Sequence, residues 1–421
     1  MDSYRRRVLD SELDELLPDL SAIAIEGPKG VGKTATAIQR ASTVFRMDTA
    51  QDVELLTASP ALLATAPGPV LIDEWQRRPE TWDLVRRAVD DGAVGGRFLL
   101  TGSATPKGAA IHSGAGRIDT LRMRPLSFAE RGIESPTVSL LQLFQGETGV
   151  GGQTPIALPD YVSEIVSSGF PGIRPLPPRA RRQRLDGYIQ RVVEHEVVDQ
   201  GVVGRAPARL RAWMAAYAAA TASTASNTAI GRAASPGDGD LPARSTVERY
   251  HDALTQLWLL DPVPAWLPGN DFARLALTPK HFLADPALAA RLLDLDEERL
   301  IRAETPMLGP KDRTALGSLF EALVGLSLQT YAQAAEATLH HLRTRDGGRE
   351  IDFIVHRNDG RNLAFEVKLS DAPSDHDVRH LLWLKKEMGD SLMDVAVVNT
   401  GRDAYRRRDG VAVIPLALLG P

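Results

Sequence analysis

The chain has 421 residues, enough by length for about three domains, each with a core of its own. Its 43% hydrophobic and 24% charged composition is that of an ordinary globular protein, and the net charge of −5 argues against a chain basic throughout, so any nucleic-acid contact has to come from a local patch. Cysteine is absent, which excludes disulfides, zinc fingers, iron–sulfur clusters and thiol catalysis. No apolar run is long enough to span a bilayer, and Met1 to Arg7 leads into an acidic amphipathic stretch rather than a signal-peptide core. The expected location is cytoplasmic, with no membrane partner.

In chain order, the first informative element is the apolar run Ala22-Ile23-Ala24-Ile25, of buried-strand type, followed by Gly27-Pro28-Lys29-Gly30-Val31-Gly32-Lys33-Thr34. Thr34 to Arg46 contains no Gly or Pro and reads as a helix. Strand, glycine-rich loop and helix in this order make a Walker A phosphate-binding loop. Glycines let backbone N–H groups approach phosphate oxygens, and the helix N-terminus adds its dipole. Lys33 is expected to reach the β- and γ-phosphates of ATP, and the Thr34 hydroxyl to hold Mg²⁺. Pro69-Val70-Leu71-Ile72-Asp73-Glu74 is an apolar strand ending in two acids, a Walker B motif. Asp73 would hold the Mg²⁺ shell, and Glu74 would orient and deprotonate the attacking water. A third strand, Arg97 to Thr101, ends in Gly102-Ser103. Ser103 is the candidate sensor of the γ-phosphate, with Thr101 the second choice.

Alternating strand-like and helical runs over residues 1–140 predict a largely parallel sheet covered by helices. The Gly-rich stretch Gly146 to Gly152 interrupts this pattern. Over 141–206 a helical lid or linker is expected, because Arg181 to Asp199 places Leu185, Tyr188, Ile189, Val192 and Val193 on one face of a 3.6-residue period. Residues 207–275 read as an Ala-rich helix, a short helix from Asn227, a Pro/Gly/Asp turn at 235–242, a helix from Ser245 to Leu257, and two short apolar segments, Leu259-Leu260 and Val263 to Leu267. This is the plan of a winged helix, and Ser245 with Glu248 resembles a capping box. The third helix would contact DNA or serve only as a spacer.

Residues 276–421 carry a second constellation. Arg349 to Val355 and Leu363 to Leu369 flank the turn Asn358-Asp359-Gly360-Arg361. A hairpin centred near residue 359 sets Asp352 opposite Glu366, with Lys368 on the same face, while Phe365, Val367 and Leu369 point to a core. Glu321, on the helical run Gly317 to Val324, would complete the group. The arrangement looks like the metal-dependent nuclease core of restriction-enzyme type. In that reading Asp352 and Glu366 bind a second Mg²⁺ and Lys368 stabilises the nucleophile or the developing charge; the other reading keeps the fold without hydrolysis. His340, His341, Arg343 and Arg345 would supply a basic edge for DNA, or a solvated strand end.

Together, GPKGVGKT, VLIDEWQRRP, RFLLTGSAT and GRIDTLRMRPLSFAERG resemble the prokaryotic AAA-type ATPases that carry a C-terminal domain of unknown function. The resemblance continues through Ser168 to Pro171, Tyr188 to Val197, Lys280 to Asp285 and the late EVKLS. It implies an α/β fold with a P-loop NTPase core, a helical lid, a winged-helix-like middle and a restriction-endonuclease-like end. In such ATPases an Arg after the sensor strand neutralises transition-state charge, often across a subunit boundary, and Arg117 matches that position; a surface salt bridge is its other reading. A homo-oligomer follows from the same analogy. Lys29 stands where relatives more often have Arg. The expected function is Mg²⁺-dependent ATP hydrolysis that switches or moves the appended domains; the alternatives are an ATP-gated DNA endonuclease and a nucleotide-dependent switch that binds DNA or protein with negligible turnover.

Overall fold

The computed structural model describes residues 4–104, 114–146, 149–199, 207–235, 243–266, 278–302, 314–344 and 348–421. Most of the turn expected at 235–242, Leu267 and Arg345 lie outside them. Strands β1 (Ala22–Glu26), β2 (Thr43–Arg46), β3 (Val70–Asp73), β4 (Phe98–Gly102) and β5 (Asp119–Arg122) form one sheet in the order β2-β3-β4-β1-β5. Every pairing in it is parallel. β1, β3 and β4 are almost wholly apolar and buried, as strands covered on both faces must be. Their C-terminal ends open on one edge, where the loop after β1 and the acids ending β3 meet.

One expectation fails here. The helix after the glycine-rich loop is only Lys33–Ile38, and Thr43–Arg46 turns into a strand. Thr43, Val44 and Phe45 are β-branched or aromatic, and they pair with Val70, Leu71 and Ile72. That long-range pairing overrides a helical reading that rested on the absence of a breaker.

The connecting region gives up its ends to the C-terminal half. β6 (Val138–Ser139) pairs with β14 (Leu419–Gly420), and β7 (Gly152–Gln153) joins the edge of the large sheet at β12. The helices Leu158–Ser167 and Pro178–Arg191 follow, and the latter continues through a π-helical turn, Val192–Glu196. Leu185, Ile189, Val192 and Val193 are buried, so the expected apolar face is the packed one.

In the middle, helices Pro207–Ala219, Asn227–Ala233 and Arg244–Gln256 precede a hairpin whose arms are joined by the antiparallel bridges Leu260↔Leu283 and Val263↔Lys280. The bridges join residues on either side of the boundary expected after residue 275. No capping box forms at Ser245; the helix starts one residue earlier behind Ala243, and Glu248 instead takes a hydrogen bond from Arg244 at 2.8 Å.

The C-terminal sheet runs β7-β12-β13-β11-β10-β9-β8, with β8 (Ala337–Arg343), β9 (Glu350–Arg357), β10 (Asn362–Val367), β11 (Leu392–Asn399), β12 (Asp403–Arg406) and β13 (Ala412–Pro415). β8, β9 and β10 are antiparallel neighbours; β10 and β11 are parallel, connected by the helix Asp375–Met388. The buried helix Ala315–Ala334 packs between this sheet and the nucleotide-binding half.

Aromatic side chains weld the parts together. Phe128 stacks on Tyr161 at 5.3 Å, and Tyr161 meets Phe320 edge-on at 5.4 Å, so the first sheet's domain, the connecting region and the C-terminal helix share one core. Fully burying each such ring is worth about 1.5–3 kcal/mol. Ser327 Oγ and Tyr331 Oη accept hydrogen bonds from the backbone N–H groups of Phe128 and Ala129, both at 3.0 Å. Among the described residues no helix is long and apolar enough to cross a membrane.

The hairpin is tied to the first sheet by charge. Asp261 accepts from Arg122 at 2.9 Å and from Arg124 at 2.8 Å. Burial pushes the Asp261 carboxyl up, but the two guanidinium groups outweigh it and hold it below the usual carboxylate range. Replacing Asp261 by Ala leaves two largely buried arginines without their partner, a loss on the order of 3 kcal/mol. Thermal unfolding of Asp261→Ala should therefore begin several degrees below that of the parent chain, and an unchanged midpoint would show the grip to be dispensable.

Candidate functional site

The backbone of the loop after β1 requires its glycines. Gly27, Gly30 and Gly32 have φ of +155°, +87° and +108°, and a Cβ on Gly27 would lie 2.1 Å from the Met123 carbonyl oxygen. Gly32 caps the helix Lys33–Ile38 in a left-handed conformation. Lys33 is 5% exposed, and its Nζ donates to the carbonyls of Gly27 at 2.7 Å and Pro28 at 3.0 Å, so the loop curls around its own ammonium group. Burial lowers Lys33 to about 8, against the opposing pull of Glu74 and Asp73.

Across the edge, Thr34 Oγ1 donates to Asp73 Oδ1 at 2.6 Å, and Thr101 Oγ1 donates to the same oxygen at 2.5 Å. Loop and acidic strand thus share one cluster of hard oxygen atoms, and the residues fit a Mg²⁺ ion carried by a triphosphate. Glu74 adopts left-handed geometry, φ 55° and ψ 43°, a strained choice for a residue with a Cβ. Gln76 Nε2 donates both to Glu74 Oε2 at 2.6 Å and to Ser103 Oγ at 3.1 Å, so the two residues expected as base and sensor are joined by one amide. Sequence reasoning missed Gln76, whose only signal was its place two residues beyond the acids. Thr101, the second choice as sensor, lies beside Asp73 in the sheet register and supports the acid.

Several contacts fix the outer side of the loop. Tyr188 Oη donates to the Lys29 carbonyl at 3.2 Å, Lys29 Nζ pairs with Glu196 at 3.0 Å, and Tyr188 stacks on Phe170 at 5.1 Å. Arg7, buried and unnoticed in the sequence, donates to the carbonyls of Val31 and Arg124 and pairs with Glu130. A cavity of about 860 Å³ opens beside Val31, Gly32 and Thr36, walled by Tyr4, Met123 and Pro171.

The structure does not bring Arg117 to this cluster. It precedes β5, whose first residue pairs with Ile23, whereas the loop follows the other end of β1. Arg117 is 47% exposed in its side chain and pairs with Asp90 at 2.8 Å.

The C-terminal acids do converge. The β9–β10 register, Phe353 with Phe365, sets Asp352 opposite Glu366, and Lys368 Nζ donates to Glu366 Oε2 at 3.0 Å. Burial and the neighbouring Asp352 raise the Glu366 carboxyl well above its usual range. Sequence reasoning missed Lys280, whose ammonium lies 2.7 Å from Glu321 Oε1 and 3.0 Å from Asp352 Oδ1. Its ammonium stands between Glu321 and Asp352, two of the acids expected to converge, while Glu366 is held separately by Lys368. Among the described residues no group of three or more His, Asp or Glu side chains is arranged to hold a metal. Of the expected basic edge, His340 and His341 are buried, burial lowers His341 to about 3, and Arg343 is exposed and donates to Thr224 at 2.7 Å.

Comparisons with known proteins match three stretches of the chain. Residues 20–132 match an AAA domain, 158–299 a domain of unknown function (DUF8612), and 316–419 a domain of unknown function (DUF4143). Two proteins described as uncharacterized, from Mycobacterium bovis and Mycobacterium tuberculosis, are each 26% identical over 97% of this chain and 83% of their own length. A solved structure of Drosophila ORC bound to DNA overlaps 64% of this chain and 89% of its own, at 13% identity and a TM-score of 0.25. An AAA domain at one end and DUF4143 at the other support an AAA-type P-loop ATPase with a C-terminal domain of unknown function.

Proposed function

We propose that the chain binds ATP with Mg²⁺ and hydrolyses it, and that the cycle acts on the middle and C-terminal regions. The observation that carries this is the convergence of Thr34 and Asp73, 2.6 Å apart, at the mouth of a loop that encloses the Lys33 ammonium. Lys33 would move its hydrogen bonds from loop carbonyls to phosphate oxygens, and Glu74 would take the proton of the attacking water. Gln76 would hold Glu74 against Ser103, so that a change at the γ-phosphate alters the orientation of the base. Mg²⁺ held at Thr34 and Asp73 would neutralise charge on the phosphate oxygens. The base and sugar would take the 860 Å³ cavity beside Gly32 and Thr36.

Transmission is supported by Arg122. It ends β5 next to Glu26, immediately before the loop, and grips Asp261 of the middle hairpin. DNA is the candidate partner of the helix Arg244–Gln256, on which Arg244 is exposed. A second copy of the chain is the candidate partner of Arg117, which can meet a phosphate only from a neighbouring subunit. Phosphate release measured with and without duplex DNA, and with Arg117→Ala, tests both partners.

Lys33→Ala should abolish binding of labelled ATP, whereas Glu74→Gln should bind it and release phosphate about 10²–10⁴-fold more slowly. Unchanged binding in Lys33→Ala would overturn the assignment.

Proton linkage offers an independent check. Lys33 titrates near 8 in the free chain, and polyphosphate charge would return it toward its ordinary 10.5. Between those values the complex holds more protons than its components, so ATP affinity should fall as pH rises through about 8. Calorimetry near pH 8.5, in buffers of different ionisation enthalpy, should show proton uptake on binding; none is expected in Lys33→Ala if that chain binds at all.

A further inference from the structure

Lys280 is carried on backbone tied from two sides. Its N–H donates to the Val263 carbonyl and its own carbonyl accepts from Val263 N–H, both at 2.9 Å. At the next residue, His281 N–H donates to Ser223 and its carbonyl accepts from Ala222, again at 2.9 Å. From this fixed point on the middle hairpin the side chain enters the acid centre of the C-terminal sheet, where it is fully buried. Its Nζ reaches Glu321 Oε1, Asp352 Oδ1, the Asp352 carbonyl at 3.4 Å and Glu350 Oε1 at 3.6 Å. The remaining oxygen of Asp352 accepts from Val367 N–H at 2.9 Å, and Glu366 is held by Lys368.

Hard divalent ions need oxygen ligands at about 2.0–2.6 Å. An ion bridging Glu321 and Asp352 would have to take the place of the ammonium, because two cations in contact repel strongly where water is excluded. The middle hairpin is anchored at two further points: Asp261 by Arg122 and Arg124, and Asp285 by Ser168 Oγ and Gly169 N–H, each at 2.7 Å.

We propose that Lys280 is the resident cation of this centre, standing in for a divalent metal, so that the nuclease-like acids lock the middle hairpin onto the C-terminal sheet instead of activating water on a phosphodiester. This inference is independent of the ATP reading. A chain that hydrolyses no ATP can still have the lysine-filled centre, and the reverse.

The test uses the full chain without nucleotide, with Asp73→Asn to remove the first magnesium site. Titration with Mn²⁺, following the free-ion paramagnetic resonance signal, should show no ion bound up to about 1 mM. Lys280→Met should gain one ion, and adding Asp352→Asn should remove it again. Mn²⁺ binding with Lys280 in place, abolished by Asp352→Asn, would overturn the proposal, as would strand breaks in plasmid DNA that depend on Asp352. Should Lys280→Met not fold, the titration with Lys280 intact still decides the metal question. Glu321→Gln and Lys280→Arg then report the lock: each alone should lower the unfolding midpoint, and their combination should lower it by less than the sum of the two. Strict additivity would refute the locking role.

Discussion

One carboxylate oxygen organises the nucleotide-binding half. Asp73 Oδ1 takes hydrogen bonds from Thr34 on the loop and from Thr101 on β4. This is possible only because β4 lies between β1 and β3, separating loop strand from acidic strand by one sheet position. Direct pairing of β1 with β3 would leave no strand to carry Thr101, and the loop hydroxyl would reach the acid without lateral support. The sheet order therefore sets the gap between loop and acid, and it places Ser103 just past the end of β4, two residues beyond Thr101.

Around that gap, charge is used in two ways. At the loop, Lys33 is buried yet aimed at a place where a ligand's negative charge can relieve it. At the C-terminal centre, Lys280 is buried among acids of its own chain. The hairpin at 259–284 stands between the two. Asp261 pairs with the arginine that ends β5, and Lys280 reaches the acids of the other sheet.

The legible part of this chain was the part whose chemistry is local. Phosphate binding needs glycines, a lysine and a hydroxyl within eight consecutive residues, and a hairpin fixes its own register, so Lys33, Thr34, Asp73 and the facing pair Asp352 and Glu366 could be read directly. Elements defined by distant partners could not. Thr43 to Arg46 becomes a strand only because β3 is there to pair with it. The two-residue strands β6 and β7 have no pattern of their own and exist as additions to β14 and β12. Lys280 entered only as the first residue of a stretch carrying the family resemblance; the acids it meets, Glu321 and Asp352, lie 41 and 72 residues further along the chain. Arg117 was placed by its position in a motif, and the direction of β5 carries it away from the loop.

The ring stack of Phe128, Tyr161 and Phe320 has a consequence for how such proteins can change. Each ring comes from a different region, and none is covered by its own region alone. Exchanging one region for that of a distant relative would leave a ring facing a surface not shaped for it, so recombination among relatives is constrained to keep all three contributors compatible. Divergence should then proceed by coordinated substitution at this junction, and the chain inherits as a single block despite being assembled from parts that look separable.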